Sequence, residues 1–84
     1  MQGNQAVYIL DKRRVEIDSV TSVRSFDENG VLLETSLGLL SVDGREMRIE
    51  NFEKATSKIL IVGDIASVYY LEKREKRRGR INKT

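Results

Sequence analysis

The chain contains no cysteine and no histidine. Without cysteine there is no disulfide stapling, and without both residues the usual zinc sites lose their main ligand types. The same two absences leave no means of building a nucleophile–histidine triad. Aromatic residues are few, namely Tyr8, Phe26, Phe52, Tyr69 and Tyr70, whereas a stacking platform for nucleic-acid bases needs several rings on one face. No apolar run approaches the roughly 20 residues that span a bilayer. The polar start, residues 1–4, lacks the charged-then-apolar order of a secretory signal. The expectation is a cytoplasmic protein with no metal and no cofactor.

What is present is a short chain of uneven charge. Its 84 residues allow one domain, and a chain of that size buries only about 60% of its unfolded surface. Small domains without disulfides or metals often recover stability by oligomerising, so a homo-oligomer is expected. The formal charge of +2 conceals an asymmetry. Residues 71–84 hold seven basic side chains (Lys73, Arg74, Lys76, Arg77, Arg78, Arg80 and Lys83) against Glu72 and Glu75, which leaves the first seventy residues at −3. This split divides the chain into a domain, 1–72, and a basic tail, 73–84, that has almost nothing to bury and is expected to be disordered.

The body reads as β-structure. Val15-Glu16-Ile17-Asp18 alternates apolar and acidic residues, as a half-buried strand does. Three dipeptides then read as hairpin turns: Asn29-Gly30 and Asp43-Gly44 of type I′, and Gly63-Asp64 of type II′. With Asp43-Gly44 as a loop, Leu40 faces Met47 and shares a side with Val42 and Ile49. With Asn29-Gly30 as a loop, Phe26 faces Leu33 and shares a side with Val31 and Leu37; a longer loop over 27–30 is the alternative. With Gly63-Asp64 as a loop, Ile59 faces Val68 and Ile61 faces Ala66, while Leu60, Val62 and Ile65 make the other face apolar as well. Such a segment belongs at the centre of a sheet.

Residues 51–58 read as a loop or one turn, with Asn51 as a cap. The stretches 38–44 and 58–63 both run apolar residues into a glycine at an offset of ~20 residues, loosely as β-rungs would; ordinary hairpins account for them equally well. The fold expected is all-β, a small antiparallel sandwich or taco-like roll of about seven to eight short strands. Its expected core is Val15, Ile17, Leu33, Leu40, Val42, Met47, Ile49, Ile59, Ile61 and Val68.

Little in this chain points to catalysis. Carboxylate pairs such as Glu34 with Asp43 or Asp64 are available, but acidic residues on a small β-domain are ordinarily its solvated face. Asp27-Glu28-Asn29 resembles the start of a calcium loop without its alternate spacing or terminal glutamate, and a turn explains it. Tyr69 and Tyr70, adjacent on a strand, point to opposite faces, which implies one in the core and one at the surface. The sharpest feature is the basic run, and Lys73, Arg74, Lys76, Arg77, Arg78 and Arg80 are the expected contacts to an anionic surface or partner. Nucleic acid and anionic lipid both fit that charge. The acidic body speaks against nucleic acid, because such domains carry positive charge on the fold itself.

From Arg14 to Leu71 the sequence resembles the YabP/YqfC family of sporulation proteins, and its YabP members most. The resemblance rests on Val15-Glu-Ile-Asp-Ser-Val20, Ser25-Phe26-Asp27, Val31-Leu-Leu-Glu-Thr-Ser-Leu-Gly38, Leu39-Leu-Ser-Val-Asp-Gly44, Glu46-Met-Arg-Ile49 and the strand–glycine–strand of 59–71, taken in that order and spacing. Ser19 stands where the family pattern has glycine, and nothing in the pattern extends to the basic tail. The resemblance implies a non-enzymatic role in building the spore coat or cortex. It implies too a membrane-bound sporulation partner and a place in the mother cell at the membrane surrounding the forespore. The rival expectation is a small β-barrel that binds nucleic acid through a basic arm.

Overall fold

The computed structural model of the chain describes residues 5–71. Alternation governs the strands it contains. In β2 (Arg14–Ile17) the arginine and glutamate are exposed and Val15 and Ile17 buried, and in β4 (Gly30–Thr35) Val31, Leu33 and Thr35 are buried between half-buried neighbours. With β1 (Val7–Leu10), β3 (Val20–Asp27), β5 (Gly38–Glu53) and β6 (Lys58–Tyr70) they form one sheet of six strands in the order β1-β2-β6-β5-β4-β3. Every neighbouring pair is antiparallel.

β5 and β6 are long, at 16 and 13 residues, and they bend together. Their first pairing block sets residues 48–53 against 58–62, and their second sets 40–43 against 67–70; register shifts separate the two blocks. β1 and β2 extend the first block, and β4 and β3 extend the second. The sheet thus has two arms joined by the bend. Val15, Ile17, Ile59 and Ile61 from one arm share a single core cluster with Val31, Leu33, Leu40 and Val42 from the other, each at most 1% exposed. One face of a single sheet is buried that completely only when its own other arm covers it, so the sheet is folded over like a taco.

Backbone hydrogen bonds hold the arms at both ends. At the bend, Gly44 N–H donates to the Asn29 carbonyl and Met47 N–H to that of Glu28, while Gly63 and Ile65 N–H donate to Arg13 and Lys12. The two short hairpin turns therefore cap the corner. At the open end, Val20 N–H donates to the Ser57 carbonyl (2.9 Å) and Ser36 N–H to that of Ser19 (3.0 Å). Burial of these backbone groups without partners would be costly, and the cross-links satisfy them where the ladder is interrupted.

The structure corrects several expectations. Asp43-Gly44 and Gly63-Asp64 are not hairpin turns; both lie inside long strands, where Gly44 pairs with Ile65 and Asp64 with Arg45. Accordingly Leu40 faces Tyr70 rather than Met47, Ile61 faces Ile49, and Ile59 faces Phe52. Among the described residues the strands number six, fewer than the seven to eight expected, because two long strands serve both arms. The β3–β4 loop is Glu28-Asn29, with Asp27 opposite Gly30, so Phe26 faces Val31 and Val23 faces Leu33. Leu37 sits in the turn before β5 and is exposed. The turn of the long hairpin occupies 54–57, and Asn51 continues the strand rather than capping anything. The apparent repeat is two adjacent strands running apolar residues into a common bend.

β6 lies at the centre of the sheet, as its two apolar faces imply, with Leu60 and Val62 half-buried. The expected core is buried except for Ile49 and Val68, which pack against it, and Val20, Val31 and Ile65 join it.

Two glycines make the bend possible. A Cβ on Gly44 would stand 2.0 Å from the Asp64 carbonyl oxygen, and one on Gly63 would stand 2.7 Å from the Met47 Cα. Gly63 also has a φ of +145°, which side chains rarely adopt. Gly44→Ala and Gly63→Ala are each expected to destabilise the domain by about 3 kcal/mol or more, since backbone would have to move. Gly30→Ala, whose Cβ would meet nothing closer than 3.6 Å, should stay within about 0.5 kcal/mol of the parent; urea unfolding of the three variants checks the ranking.

Ser19 has a φ of +60°, so the position where the resemblance leads one to expect glycine is a left-handed one. Ser19→Gly removes that strain at some cost in unfolded-chain entropy and is expected to stabilise the domain by about 0.5–1 kcal/mol. A fall in the urea midpoint would show that the serine side chain contributes more than its backbone strain costs.

Candidate interaction surface

The tail residues expected to contact an anionic surface, Lys73, Arg74, Lys76, Arg77, Arg78 and Arg80, lie outside the described residues, as does the expected disorder of that segment. What the structure describes is the ground from which the tail departs. β6 ends at Tyr70, and Leu71 N–H then donates to the Leu39 carbonyl at 3.0 Å. This places Leu71 beside Leu39, close to the 36–37 turn. The Thr35 hydroxyl fixes that turn by donating to the Gly38 carbonyl (2.7 Å) and accepting from Leu37 N–H (3.1 Å). Around it Leu37, Tyr69, Tyr70 and Leu71 are all substantially exposed. The basic run follows within two residues of this apolar end.

Neither tyrosine is in the core, contrary to the expectation that one would be. Tyr69 is 44% and Tyr70 47% exposed. They do point to opposite faces: Tyr69 lies opposite Ser41, and Tyr70 lies opposite buried Leu40 at the rim of the core, where it stays half exposed. Its hydroxyl donates instead to the side-chain oxygen of Gln5. That contact ties the end of β6 to the segment entering β1.

Asp18 fixes the same entry. Its carboxylate accepts Ala6 N–H at 2.9 Å, its own N–H donates to the Ala6 carbonyl, and its carbonyl accepts the Gln5 side-chain amide at 2.7 Å. β1 is thereby held against β2, yet it forms an edge of the sheet. Tyr8 is 61%, Ile9 49% and Leu10 58% exposed. The strand is all apolar, Val-Tyr-Ile-Leu, which gave no alternation to read. Its turn is equally cryptic: Asp11 and Lys12 have φ near +53° and +58°, and Arg13 N–H donates to the Leu10 carbonyl. These are the marks of a type I′ turn without the usual glycine.

The carboxylates weighed for catalysis are dispersed. Glu34 accepts hydrogen bonds from the Ser22 hydroxyl (2.9 Å) and Arg24 (2.7 Å) on the outer face. Asp43 accepts one from Ser41. Asp43 and Asp64 line one shallow depression with Lys12 and Arg45, and Glu34 lines another with Thr21 and Gly38. Asp27 accepts the N–H groups of Asn29 and Gly30 at 2.8 and 3.0 Å, so the stretch with a calcium-loop look is an Asx turn.

Residues 1–77 match the YabP family. Spore protein YabP of Bacillus subtilis (strain 168) is 31% identical over 69 residues, which cover 82% of this chain and 69% of that protein. The family match takes in every strand from β1 to β6, the glycine corner and the Thr35 turn, and the chain belongs to the YabP family.

Proposed function

We propose that this chain is a non-enzymatic assembly component of the spore envelope. On this reading it works in the mother cell, at the membrane surrounding the forespore, through contacts with its own copies and with a membrane-bound sporulation protein. Family membership gives it a role in sporulation. The observation that carries the finer reading is the end of β6, where exposed Tyr69, Tyr70 and Leu71 precede seven basic residues in the sequence and Leu71 lies beside Leu39, next to the turn that holds exposed Leu37. Aromatic and leucine side chains beside lysine and arginine suit the interface of an anionic bilayer, because the rings enter the headgroup boundary while the cations meet lipid charge. Each basic residue near such a surface contributes about 1 kcal/mol, an attraction confined to roughly a Debye length. That suffices to recruit the domain beside a protein partner.

Vesicle co-sedimentation tests this placement. The intact chain is expected to bind vesicles rich in phosphatidylglycerol, to ignore purely zwitterionic ones, and to lose most binding as salt is raised. Truncation after Glu72 should weaken binding at least tenfold, and Tyr69→Ser with Leu71→Ser should weaken it several-fold while leaving the salt dependence in place. Equal binding by the truncated chain would reduce the tail to a solubilising terminus. Salt-dependent binding of RNA or DNA that survives the truncation would favour the nucleic-acid reading instead. Deletion of the gene should cost the cell mature spores.

A further inference from the structure

The two edges of the sheet differ in a way that bears on how copies meet. β3 is guarded: its pairing with β4 is interrupted by two register shifts, and Arg24 and Asp27 lie on it. Bulges and charges of this kind discourage a further strand from adding. β1 has neither. Its four residues pair with β2 without a shift, and all four are uncharged and apolar.

The backbone of β1 has a defined polarity. Ala6 and Leu10 direct their backbone groups toward β2, at Asp18 and Arg13. Because the direction alternates along a strand, Tyr8 does likewise, and Val7 and Ile9 present N–H and C=O on the open edge. Side chains alternate as well. Tyr8 pairs with exposed Glu16 and lies on the outer face, and Ile9 pairs with buried Val15 and lies on the inner face.

We propose that two copies of this chain pair antiparallel through β1 about a twofold axis at Tyr8. In this register Val7 lies opposite Ile9 of the second copy and Ile9 opposite its Val7, and the outward backbone groups of both pairs make four hydrogen bonds. Tyr8 meets Tyr8 of the second copy in the non-hydrogen-bonded pair at the axis, where side chains approach most closely. Ala6 lies opposite Leu10, small against large, on both sides of the axis. No charge opposes a like charge. The strand is therefore complementary to itself, which singles out a second copy as its occupant over an unrelated strand. The interface is isologous, and the two sheets join into one. This pairing rests on the self-association part of the proposed function and gives it a site.

Sedimentation velocity of the full chain over low to high micromolar concentrations tests it, with circular dichroism as the folding control. The parent should dimerise. Ile9→Pro removes an outward N–H while sparing the β1–β2 ladder, and should weaken association at least tenfold. Tyr8→Lys and Tyr8→Asp, changes at an exposed side chain, should each be monomeric. A mixture of those two should recover a one-to-one dimer, because the axis sets residue 8 against itself. A parent that stays monomeric overturns both this pairing and the self-association reading. A parent that dimerises with variants that dimerise equally overturns the β1 edge alone, leaving self-association through another surface. Variants that separate but are not restored by mixing overturn the register. If the proline variant fails to fold, the Tyr8 pair decides.

Discussion

The whole fold depends on how closely the backbones of β5 and β6 approach at one corner. Gly44 lets the Asp64 carbonyl come to where a side chain would stand, and Gly63 does the same for Glu46 and Met47. With both side chains absent the two central strands bend as a pair, and each arm then covers the other's apolar face. Glycine inside strands ordinarily weakens them, through entropy and lost packing. Here that loss is offset by the burial that bending permits, since at about 25 cal/mol per Å² the apolar area of Val15, Ile17, Leu33, Leu40, Ile59 and Ile61 outweighs a glycine's deficit several-fold.

This corner also shows why part of the fold was legible in the sequence and part was not. Alternation located most inward positions, because burial follows strand parity whichever strand is the partner; Ile65 is the exception, placed by the expected turn on the face of Leu60 and Val62 but carried into the core with Ile59 and Ile61 because the strand runs on through 63–64. The glycine dipeptides carried a double meaning. Asp-Gly and Gly-Asp suit a tight turn and a close backbone approach equally well, and only the tertiary contact distinguishes them. Asp43-Gly44 and Gly63-Asp64 thus read in the sequence as ends of strands, whereas they are middles. The turns actually used at Asp11-Lys12 and 54–57 lack the glycine signal, since left-handed Asp11, Lys12 and Ser57 are held there by the structure around them.

The candidate surfaces were legible in a complementary way. Charge announced the tail, but its apolar base depended on two tyrosines whose burial could not be read from parity alone: Tyr70 lies opposite buried Leu40 yet stands at the rim, and Tyr69 points to the other face. β1 offered no period at all. Four consecutive apolar residues mark a fully buried strand as readily as an exposed edge, and the difference lies in the neighbour that β1 lacks among the described residues. Its attachment through Asp18 and Gln5 shows that the strand is held in place; its composition leaves an edge that small β-domains usually blunt with charge, bulge or cover.

The proposed pairing and the proposed surface attachment would reinforce one another on physical grounds. On that proposal a single tail attracts an anionic surface weakly, and salt weakens it further. Two chains joined through β1 carry two tails, and once one is held the other is confined near the same surface. Its effective concentration there is far above that of a free copy, so overall affinity rises without any new contact. The same linkage would run in reverse: copies gathered on a surface meet more often than copies in solution, which would favour an interface of only five residues a side, 6–10. The Tyr70–Gln5 contact brings the start of β1 and the end of β6, on which the two proposals rest, to one end of the molecule. Ordering either segment therefore helps to order the other.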